Sequence, residues 1–386
     1  MRWAIVADDL TGAADAAVPF ADRGIETTVW LGEPKEFPDG TCCSVDSDAR
    51  RRDAEKAAKV IRKYVCSLRD ADWLVLKIDS TLRGFVGAMV EGAWQASGRK
   101  WALILPAVPK QGRKVVNGKL LAHGKPVNEL DLAKEQPVPV TTPSVSERLQ
   151  DTGLEKLRLE HLTLKVVRHR DSLAQAIERA AINKIGLICD AETDKDLVRI
   201  VSFAAKAPTQ PLFIGASGLT QALVKVTGKN FVKRKPSSQL RPNRILIVVG
   251  SQQTLAQEQI KFLASKGVPV GEFGDELLVN WEVVALQLRI GERSSIGVKF
   301  RQWLKSNSFD AFVIVGGLTA RTIFDALRVR RWSLLGSLLP GMPLGLVQLH
   351  DRNLLVATKA GGFGTKQTLW RAILALQRRE QRIQTK

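Results

Sequence analysis

The sequence predicts an α/β protein of two domains, each with a mainly parallel sheet flanked by helices and with the active site in the interdomain cleft. Short apolar runs rich in β-branched residues recur along the chain, and helix-like stretches separate several of them. Many of these runs end in small, charged or glycine-rich clusters. Open parallel sheets build ligand sites at the carboxyl ends of their strands, so we expect an enzyme whose site is assembled there.

The apolar runs and the stretches between them give the order of the elements. We predict strands near 3–7, 73–78, 101–105, 185–189, 212–214, 244–249, 311–315 and 354–358. Helical periodicity occupies 53–69, 172–184 and 255–266. Alternation of buried strands with amphipathic helices favours parallel sheets over hairpins.

The length of 386 residues exceeds what one compact core usually holds, so two domains are expected. The segment 233–243 is charged, contains two prolines and two serines, and has no periodicity. Such composition is typical of a linker. We therefore predict an N-terminal domain of residues 1–235 and a C-terminal domain of residues 243–386.

Composition narrows the class of protein. No apolar stretch approaches the roughly 20 residues that span a bilayer, and Asp8 and Asp9 interrupt the first apolar run before a signal sequence could form. We expect a cytoplasmic protein whose four cysteines are reduced thiols, because their spacing suits neither a metal nor a disulfide framework. The net charge of +19 is compatible with nucleic-acid binding, with the attraction of anionic small molecules, or only with a basic proteome. Nucleic acid is disfavoured, because the basic clusters are scattered and carry little interleaved aromatic residue.

The first strand ends in two adjacent carboxylates, Asp8 and Asp9. Thr11 is positioned to cap the following helix, and Gly12 would let a ligand approach the backbone. Adjacent carboxylates at the end of a buried strand are costly unless something uses them. We therefore interpret this cluster as part of a site rather than as a helix cap alone.

A second polar cluster follows the strand near 73–78. It combines Lys77, Asp79, Ser80 and Arg83, a set suited to an acid sugar: cations for a carboxylate or phosphate, and Asp79 for a hydroxyl. The alternative is that these charges form surface ion pairs. Arg113, in the loop after the next strand, is a candidate anion clamp.

The C-terminal domain carries three turns rich in glycine, serine or threonine at strand ends. They lie at 250–251, 316–319 and 359–364. Such turns present backbone N–H groups and hydroxyls to phosphates, although none matches a P-loop or a Rossmann fingerprint. The four histidines have neither zinc-site nor catalytic-triad spacing.

Taken in order, these motifs resemble those of the four-carbon acid sugar kinase family. The resemblance spans nearly the whole chain and rests on ADDLTGA at 7–13, DSDAR at 46–50, KIDSTLRG at 77–84, PAVPKQGR at 106–113, NGKLLAHGKPV at 117–127, DAETD at 190–194, GASGL at 215–219, GS at 250–251, GGLT at 316–319, PGMPLG at 340–345 and KAGGFG at 359–364.

The resemblance implies an N-terminal domain that binds the acid sugar and a C-terminal domain that binds ATP, with Mg²⁺ accompanying the nucleotide. The γ-phosphoryl group would pass to a terminal hydroxyl of a tetronate or 3-oxo-tetronate. The positions matching the sugar site are Asp8, Asp9, Lys77, Asp79, Ser80, Arg83 and Arg113. The positions matching the ATP site are Ser251, Gly316, Gly317, Leu318, Thr319 and Gly361.

Phosphoryl transfer depends mainly on positioning and charge neutralisation. We expect Lys77 and the two arginines to hold the substrate carboxylate or the transferring phosphate. One of Asp8, Asp9 and Asp79 would orient or deprotonate the attacking hydroxyl, and Asp9 is the favoured candidate. A homodimer is the default expectation for the assembly.

The sequence departs from the family pattern in two places. Leu318 stands where the GG turn usually carries an acid, and residues 85–89 differ from the usual continuation after STLRG. We interpret these changes as a shifted substrate. The alternative is a sugar-acid and nucleotide-binding regulatory protein that keeps the fold and has weakened catalysis.

Overall fold

The structure is a computed structural model that describes residues 1–134, 137–228, 242–272, 281–288, 293–306, 308–349 and 352–377. Apart from its last two residues, the linker predicted at 233–243 lies outside the described residues. Two compact units emerge from the contacts within the chain. The first unit comprises Met1–Ile25 and Gly32–Val232, and the second comprises Glu26–Leu31 and Lys233–Lys386.

Strands and helices are numbered in chain order. The strands are β1 (Trp3–Ala7), β2 (Glu26–Trp30), β3 (Thr41–Asp46), β4 (Trp73–Lys77), β5 (Ala102–Leu105), β6 (Arg113–Val116), β7 (Lys119–Ala122), β8 (Lys125–Pro126), β9 (Leu159–Leu162), β10 (Gly186–Cys189), β11 (Leu212–Gly215), β12 (Ile245–Val249), β13 (Val270–Gly271), β14 (Val283–Gln287), β15 (Ala311–Val315), β16 (Arg331–Leu339), β17 (Met342–Leu349) and β18 (Arg352–Lys359). The helices are α1 (Leu10–Ala21), α2 (Ala54–Leu68), α3 (Val86–Ser97), α4 (Val145–Asp151), α5 (Leu164–Arg168), α6 (Arg170–Asn183), α7 (Asp194–Ala204), α8 (Ser217–Thr227), α9 (Thr254–Ser265), α10 (Arg293–Ser306), α11 (Gly317–Ala326) and α12 (Thr368–Gln377).

The first unit is built on a parallel sheet with the strand order β3-β1-β4-β11-β5-β10-β9. The sequence-predicted strands of this region are confirmed, and β6, β7 and β8 form a separate antiparallel sheet. The chain places β3 on one side of β1 and β4 on the other. This reversal is a topological switch point, where open α/β sheets bind ligands beyond the strand ends.

A local hydrogen bond determines where the helix after β1 begins. The carboxylate of Asp9 accepts the Gly12 N–H at 2.7 Å, so Asp9 is the N-cap and α1 begins at Leu10. The expectation that Thr11 caps this helix was wrong: Thr11 already lies in the first turn, and its buried hydroxyl has no hydrogen-bond partner there. The cap lies two residues earlier than predicted because the Asp9 carboxylate accepts the Gly12 N–H, so the helix has already begun when the chain reaches Thr11.

The second unit contains a sheet with the order β13-β14-β12-β15-β18-β17-β16-β2. The neighbouring strands β13, β14, β12, β15 and β18 are parallel. The pairs β18–β17, β17–β16 and β16–β2 are antiparallel. The antiparallel part was not predicted, nor was the inclusion of β2, whose Trp30 pairs with Arg331. The predicted strands β12, β15 and β18 are confirmed, and in the structure they are neighbours. A second switch point lies between β12 and β15, because β14 is on the other side of β12.

A buried arginine organises the loop that follows β4. Arg148 of α4 is only 1% exposed, and its guanidinium donates to the carbonyls of Leu82 and Gly84, each at 3.1 Å. It also donates to the carbonyl of Pro139 at 2.9 Å. All these acceptors are neutral, so the side chain fixes backbone on both sides of Arg83 without taking up a carboxylate.

We expect Arg148→Met to lower the free energy of unfolding by about 2–4 kcal/mol, because buried carbonyls lose their donor while the volume is nearly kept. Urea unfolding at pH 7 measures the change. Arg158→Met makes the same substitution at an exposed position and should cost less than about 0.5 kcal/mol. Equal effects of the two variants would contradict this account of the loop.

Candidate functional site

The switch point of the first unit collects most of the side chains predicted for the sugar site. Asp8 and Asp9 follow β1, and Asp79 follows β4, with Ser80 and Arg83 in the same loop. Since β1 and β4 are parallel neighbours, these residues emerge at one edge of the sheet. Within this set Ser80 is partly exposed, whereas Asp8 is fully buried.

Arg50 joins the carboxylates of this edge. Its guanidinium donates to both carboxylate oxygens of Asp8 at 2.8 Å and to Asp9 at 2.6 Å. Its Nη2 lies 3.6 Å from Asp79 Oδ1. Burial raises the pKa of Asp8, and the Arg50 guanidinium opposes that effect. Three carboxylates are therefore held together around one cation.

Asp79 is the most strongly engaged of these carboxylates. Arg83 binds it through two hydrogen bonds, Nε to Oδ2 at 3.0 Å and Nη2 to Oδ1 at 2.9 Å, and Thr81 donates through both its N–H and its hydroxyl. Burial alone would raise the pKa of Asp79, but Arg83 and Arg50 outweigh it and hold that pKa well below its ordinary value. Asp79 is buried and Arg83 is only partly exposed, so this is not the surface ion pair of the alternative interpretation.

A second group of polar side chains lies beside the first. Lys77 is 4% exposed, and its Nζ donates to the carbonyl of Ile78 at 2.8 Å. Asp15 of α1 interacts with Lys77, with Arg113 and with the hydroxyl of Ser217. Burial raises the pKa of Asp15, against the opposing effects of Lys77 and Ser217. The first unit thus brings Lys77 together with two residues that sequence reasoning did not select.

Arg113 has unused hydrogen-bonding capacity. Its Nη1 donates to the carbonyl and the side-chain oxygen of Gln111, at 3.0 and 3.3 Å, and both acceptors are neutral. Its Nε is buried and has no hydrogen-bond partner in the described structure. An unpaired buried donor on a cation indicates a position where an anionic ligand would be stabilised.

In the second unit, the structure brings the three predicted turns together at the carboxyl ends of β12, β15 and β18. The Gly250 N–H donates to the Val315 carbonyl at 3.2 Å, and the Gly316 N–H donates to the Lys359 carbonyl at 2.9 Å. The turns are therefore linked edge to edge. They lie at the second switch point, the position at which this class of sheet binds ligands.

Close approach requires glycine at two of these positions. A Cβ at Gly361 would overlap the Ser251 hydroxyl. Gly316 has a φ of +111° and is the N-cap of α11, with no side-chain cap. The first amides of that helix lack intrahelical acceptors, so they are available to an anion, and this includes the N–H of Leu318 and of Thr319.

The sequence analysis missed Arg50, Asp15 and Ser217 as site residues. Arg50 is the last residue of the DSDAR motif and follows β3, which pairs with β1. Ser217 is part of GASGL and follows β11, the neighbour of β4. Both therefore follow a strand end, which is the signal that identified the other site residues, whereas Asp15 lies inside α1 and has no such signal.

The part of the chain that the structure describes was also searched for metal sites, membrane-spanning helices and disulfides. There, His, Cys, Asp and Glu side chains form no cluster of three or more that could hold a metal ion. The described helices include none that is long and apolar enough to cross a membrane. The four cysteines are free thiols, and Cys66 is the exposed one.

Comparison with known proteins identifies the family. Residues 3–223 match the model of a sugar-binding N-terminal domain, and residues 294–369 match that of a nucleotide-binding C-terminal domain. A D-threonate kinase of Salmonella typhimurium is 26% identical, over 97% of this chain and 98% of the relative. The chain belongs to the four-carbon acid sugar kinase family. A 3-oxo-tetronate kinase of Brucella melitensis, from the same family, is 22% identical over 96% of this chain and 95% of its own length.

Solved structures share the fold. A Salmonella typhimurium protein superposes with a TM-score of 0.76 at 18% identity, covering 97% of this chain and 98% of that protein. A Bordetella bronchiseptica protein containing a domain of unknown function was solved as a domain-swapped dimer with bound citrate. It is 26% identical, with a TM-score of 0.52 over 98% of this chain and 99% of that one.

The pKa of Asp79 yields a test of the site's electrostatics. A carboxylate with a depressed pKa stabilises the fold above its unfolded-state pKa, and this contribution disappears as the pH falls through the folded-state pKa. Asp79→Asn should therefore lower the free energy of unfolding by about 3 kcal/mol at pH 7. The difference from the wild type should shrink below about pH 4, as urea unfolding at several pH values can show.

Asp70→Asn provides the matched control for this prediction. The Asp70 side chain is 86% exposed, so the same change of charge should leave stability nearly unaltered at pH 7. A wild-type-like stability of Asp79→Asn at pH 7 would show that the ion pair with Arg83 does not stabilise the folded chain.

Proposed function

We propose that the chain is an ATP-dependent kinase that phosphorylates a terminal hydroxyl of a four-carbon acid sugar. The observation that carries this proposal is the division of chemistry between two strand edges. The edge of the first unit holds charged side chains suited to a hydroxy acid, and that of the second holds glycine turns suited to phosphates. Relatives over nearly the full chain are kinases of D-threonate and of 3-oxo-tetronate, which supports the same pairing of substrates.

The acceptor would bind at the first unit's edge through its carboxylate and hydroxyls. Arg113 is the best candidate for the carboxylate, because its Nε is buried and unpaired in the described structure. Lys77 is a second candidate for that anion, because it and Arg113 both act electrostatically on Asp15. Citrate bound to the Bordetella bronchiseptica protein is consistent with a fold that accepts hydroxy carboxylates.

The donor would bind at the second unit's edge, with the phosphates over Ser251, the start of α11 and the turn at Gly361. The donors there are hydroxyls and neutral amides, which suit phosphate oxygens. Mg²⁺ fits as an ion held largely by the nucleotide phosphates, because the described residues offer no cluster of metal ligands. When bound, it would neutralise charge on those phosphates. Domains of 1–235 for the sugar and 243–386 for the nucleotide remain part of this proposal, as does catalysis in the cleft between them.

The contacts change which carboxylate we propose as the general base. Asp9 was favoured from sequence, yet one of its oxygens caps α1 and the other accepts from Arg50. Asp8 and Asp79 are likewise held by guanidinium groups. Asp15 has a hydroxyl partner in Ser217, and burial raises its pKa, as a base working near neutral pH requires. We therefore propose Asp15 as the group that takes the proton from the attacking hydroxyl.

Leu318 motivates a second candidate, a sugar-acid and nucleotide-binding regulatory protein with weakened catalysis. Its side chain cannot contribute the carboxylate that the family usually has there. Its backbone N–H at the start of α11 is unaffected, which favours retained nucleotide binding. The two candidates differ in turnover, so one assay can separate them.

A coupled assay of ADP release should detect ATP-dependent turnover with at least one of D-threonate, L-threonate, D-erythronate and their 3-oxo forms. Mass spectrometry of the product would show the added phosphoryl group and its position. A thermal shift with ATP but no turnover with any acid would support the regulatory protein. The absence of both turnover and any shift would exclude both candidates.

We expect Asp15→Asn to lower kcat by about 10²- to 10⁴-fold, because the amide cannot accept the proton, with little change in the KM for ATP. Asp9→Asn, which makes the same change at a carboxylate held by Arg50, should act mainly through stability and substrate binding. Steady-state kinetics from pH 5.5 to 9 measures both variants, after unfolding curves establish that they are folded. Loss of kcat in Asp9→Asn with normal turnover in Asp15→Asn would restore Asp9 as the base.

A further inference from the structure

A buried lysine lies directly beneath the third glycine turn of the second unit. Lys359 is the last residue of β18 and is 0% exposed. Its Nζ donates to the carbonyls of Ala360 at 2.7 Å, Gly361 at 3.1 Å and Phe363 at 2.8 Å. Among the described residues no carboxylate lies within ion-pair distance of this ammonium group. It is therefore a buried cation whose partners are all backbone carbonyls.

The direction of those carbonyls determines where the turn's amides point. In a trans peptide the C=O and the following N–H point in opposite directions. Each carbonyl drawn towards Lys359 therefore turns one amide away from it, namely the N–H of Gly361, of Gly362 and of Gly364. These three groups, here called the turn amides, donate to no acceptor in the described part of the protein.

A second side chain supports the same backbone from α9. Gln259 is fully buried, and its Nε2 donates to the carbonyls of Phe363 at 3.3 Å and Thr365 at 2.9 Å. The turn is thus held from beneath by Lys359 and Gln259. On its opposite side, the positions of Gly361 and Gly362 face the side chains of Ser251 and Gln253. The unpaired amides therefore belong to a backbone that adjoins the turn at 250–251.

We propose that Lys359 is a positioning residue for the nucleotide phosphates, since it orients the turn amides outwards as an anion-binding nest. This inference rests on the proposed kinase function. Lys359 itself touches no phosphate: it acts through the backbone that it holds. Its positive charge also adds to the field of the nest, because the buried ammonium group has no carboxylate partner.

The inference predicts a pH dependence of nucleotide binding. Burial lowers the pKa of Lys359 to about 8. No charged group contributes to this shift, whose cause is desolvation, and the described hydrogen-bond partners of Lys359 are backbone carbonyls that do not titrate. Below this pKa the ammonium group holds three carbonyls, and above it the neutral amine holds fewer and carries no charge. A bound polyphosphate favours the charged form, so binding near pH 8 should take up a fraction of a proton.

The test is calorimetric titration of the protein with a non-hydrolysable ATP analogue and Mg²⁺, from pH 6.5 to 9.5, in buffers of different ionisation enthalpy. For the wild type we expect a Kd that is constant up to pH 7.5 and rises above pH 8, with proton uptake near pH 8.5. Lys359→Met should weaken binding about tenfold or more at pH 7 and abolish both the pH dependence and the proton uptake. Its KM for ATP should rise while its KM for the acid sugar stays unchanged.

Lys366→Met is the matched control, because Lys366 is exposed in the same loop and the substitution removes the same charge. It should retain the wild-type Kd and pH profile. If Lys359→Met binds the analogue as tightly as the wild type and with the same pH profile, the inference is wrong while the kinase proposal stands. If the wild type binds no nucleotide at any pH, both are wrong. Should Lys359→Met fail to fold, a flat wild-type profile through pH 9 without proton uptake still refutes the inference.

Discussion

The charged edge of the first unit depends on the guanidinium of Arg50. Asp8 is fully buried and Asp9 lies next to it, so without a cation between them their carboxylates would repel one another at a strand end shielded from water. Arg50 binds both and approaches Asp79 from the same position. The cap of α1 and the loop after β4 are therefore arranged around one side chain, which belongs to the segment after the neighbouring strand β3. Under the proposed function, an acid sugar at this edge would meet a preorganised set of charges.

Each of the two sites has a buried lysine at the end of a strand, but the two lysines have different surroundings. Lys77 and Lys359 are each the last residue of a strand, each is buried, and each donates to the carbonyl of the residue that follows. Lys77 faces carboxylates, which make its surroundings suitable for a hydroxy acid. Lys359 faces carbonyls alone and so shapes backbone rather than balancing charge. The chemistry of the neighbours, not of the lysine, separates the edge suited to a sugar acid from the edge suited to phosphates.

Many of the strands and the polar residues that follow them could be predicted from the sequence, because a short continuous apolar run between turn residues is typical of a buried strand. Sequence reasoning could not place β2, since the five residues from Glu26 to Trp30 are also compatible with a loop-flanked edge and their partner is remote in sequence. It chose Thr11 as the cap because a hydroxyl and a carboxylate two positions apart are both good N-cap side chains. Asp15 stayed unnoticed because a helical carboxylate is usually solvated. Its importance arises from Lys77 and Ser217, which only the folded chain brings to it.

The pairing of β2 with β16 affects when the sheet of the second unit can finish folding. Trp30 leaves the ribosome early, whereas its partner Arg331 is among the last parts of the chain to be made. The second unit's sheet therefore cannot finish its edge from its own contiguous sequence, and a fragment consisting of the C-terminal half alone would expose the unpaired strand β16. Closing this contact spans most of the chain, a topology that slows folding. A cut within the sequence-predicted linker would thus separate two polypeptides without separating two independent folding units.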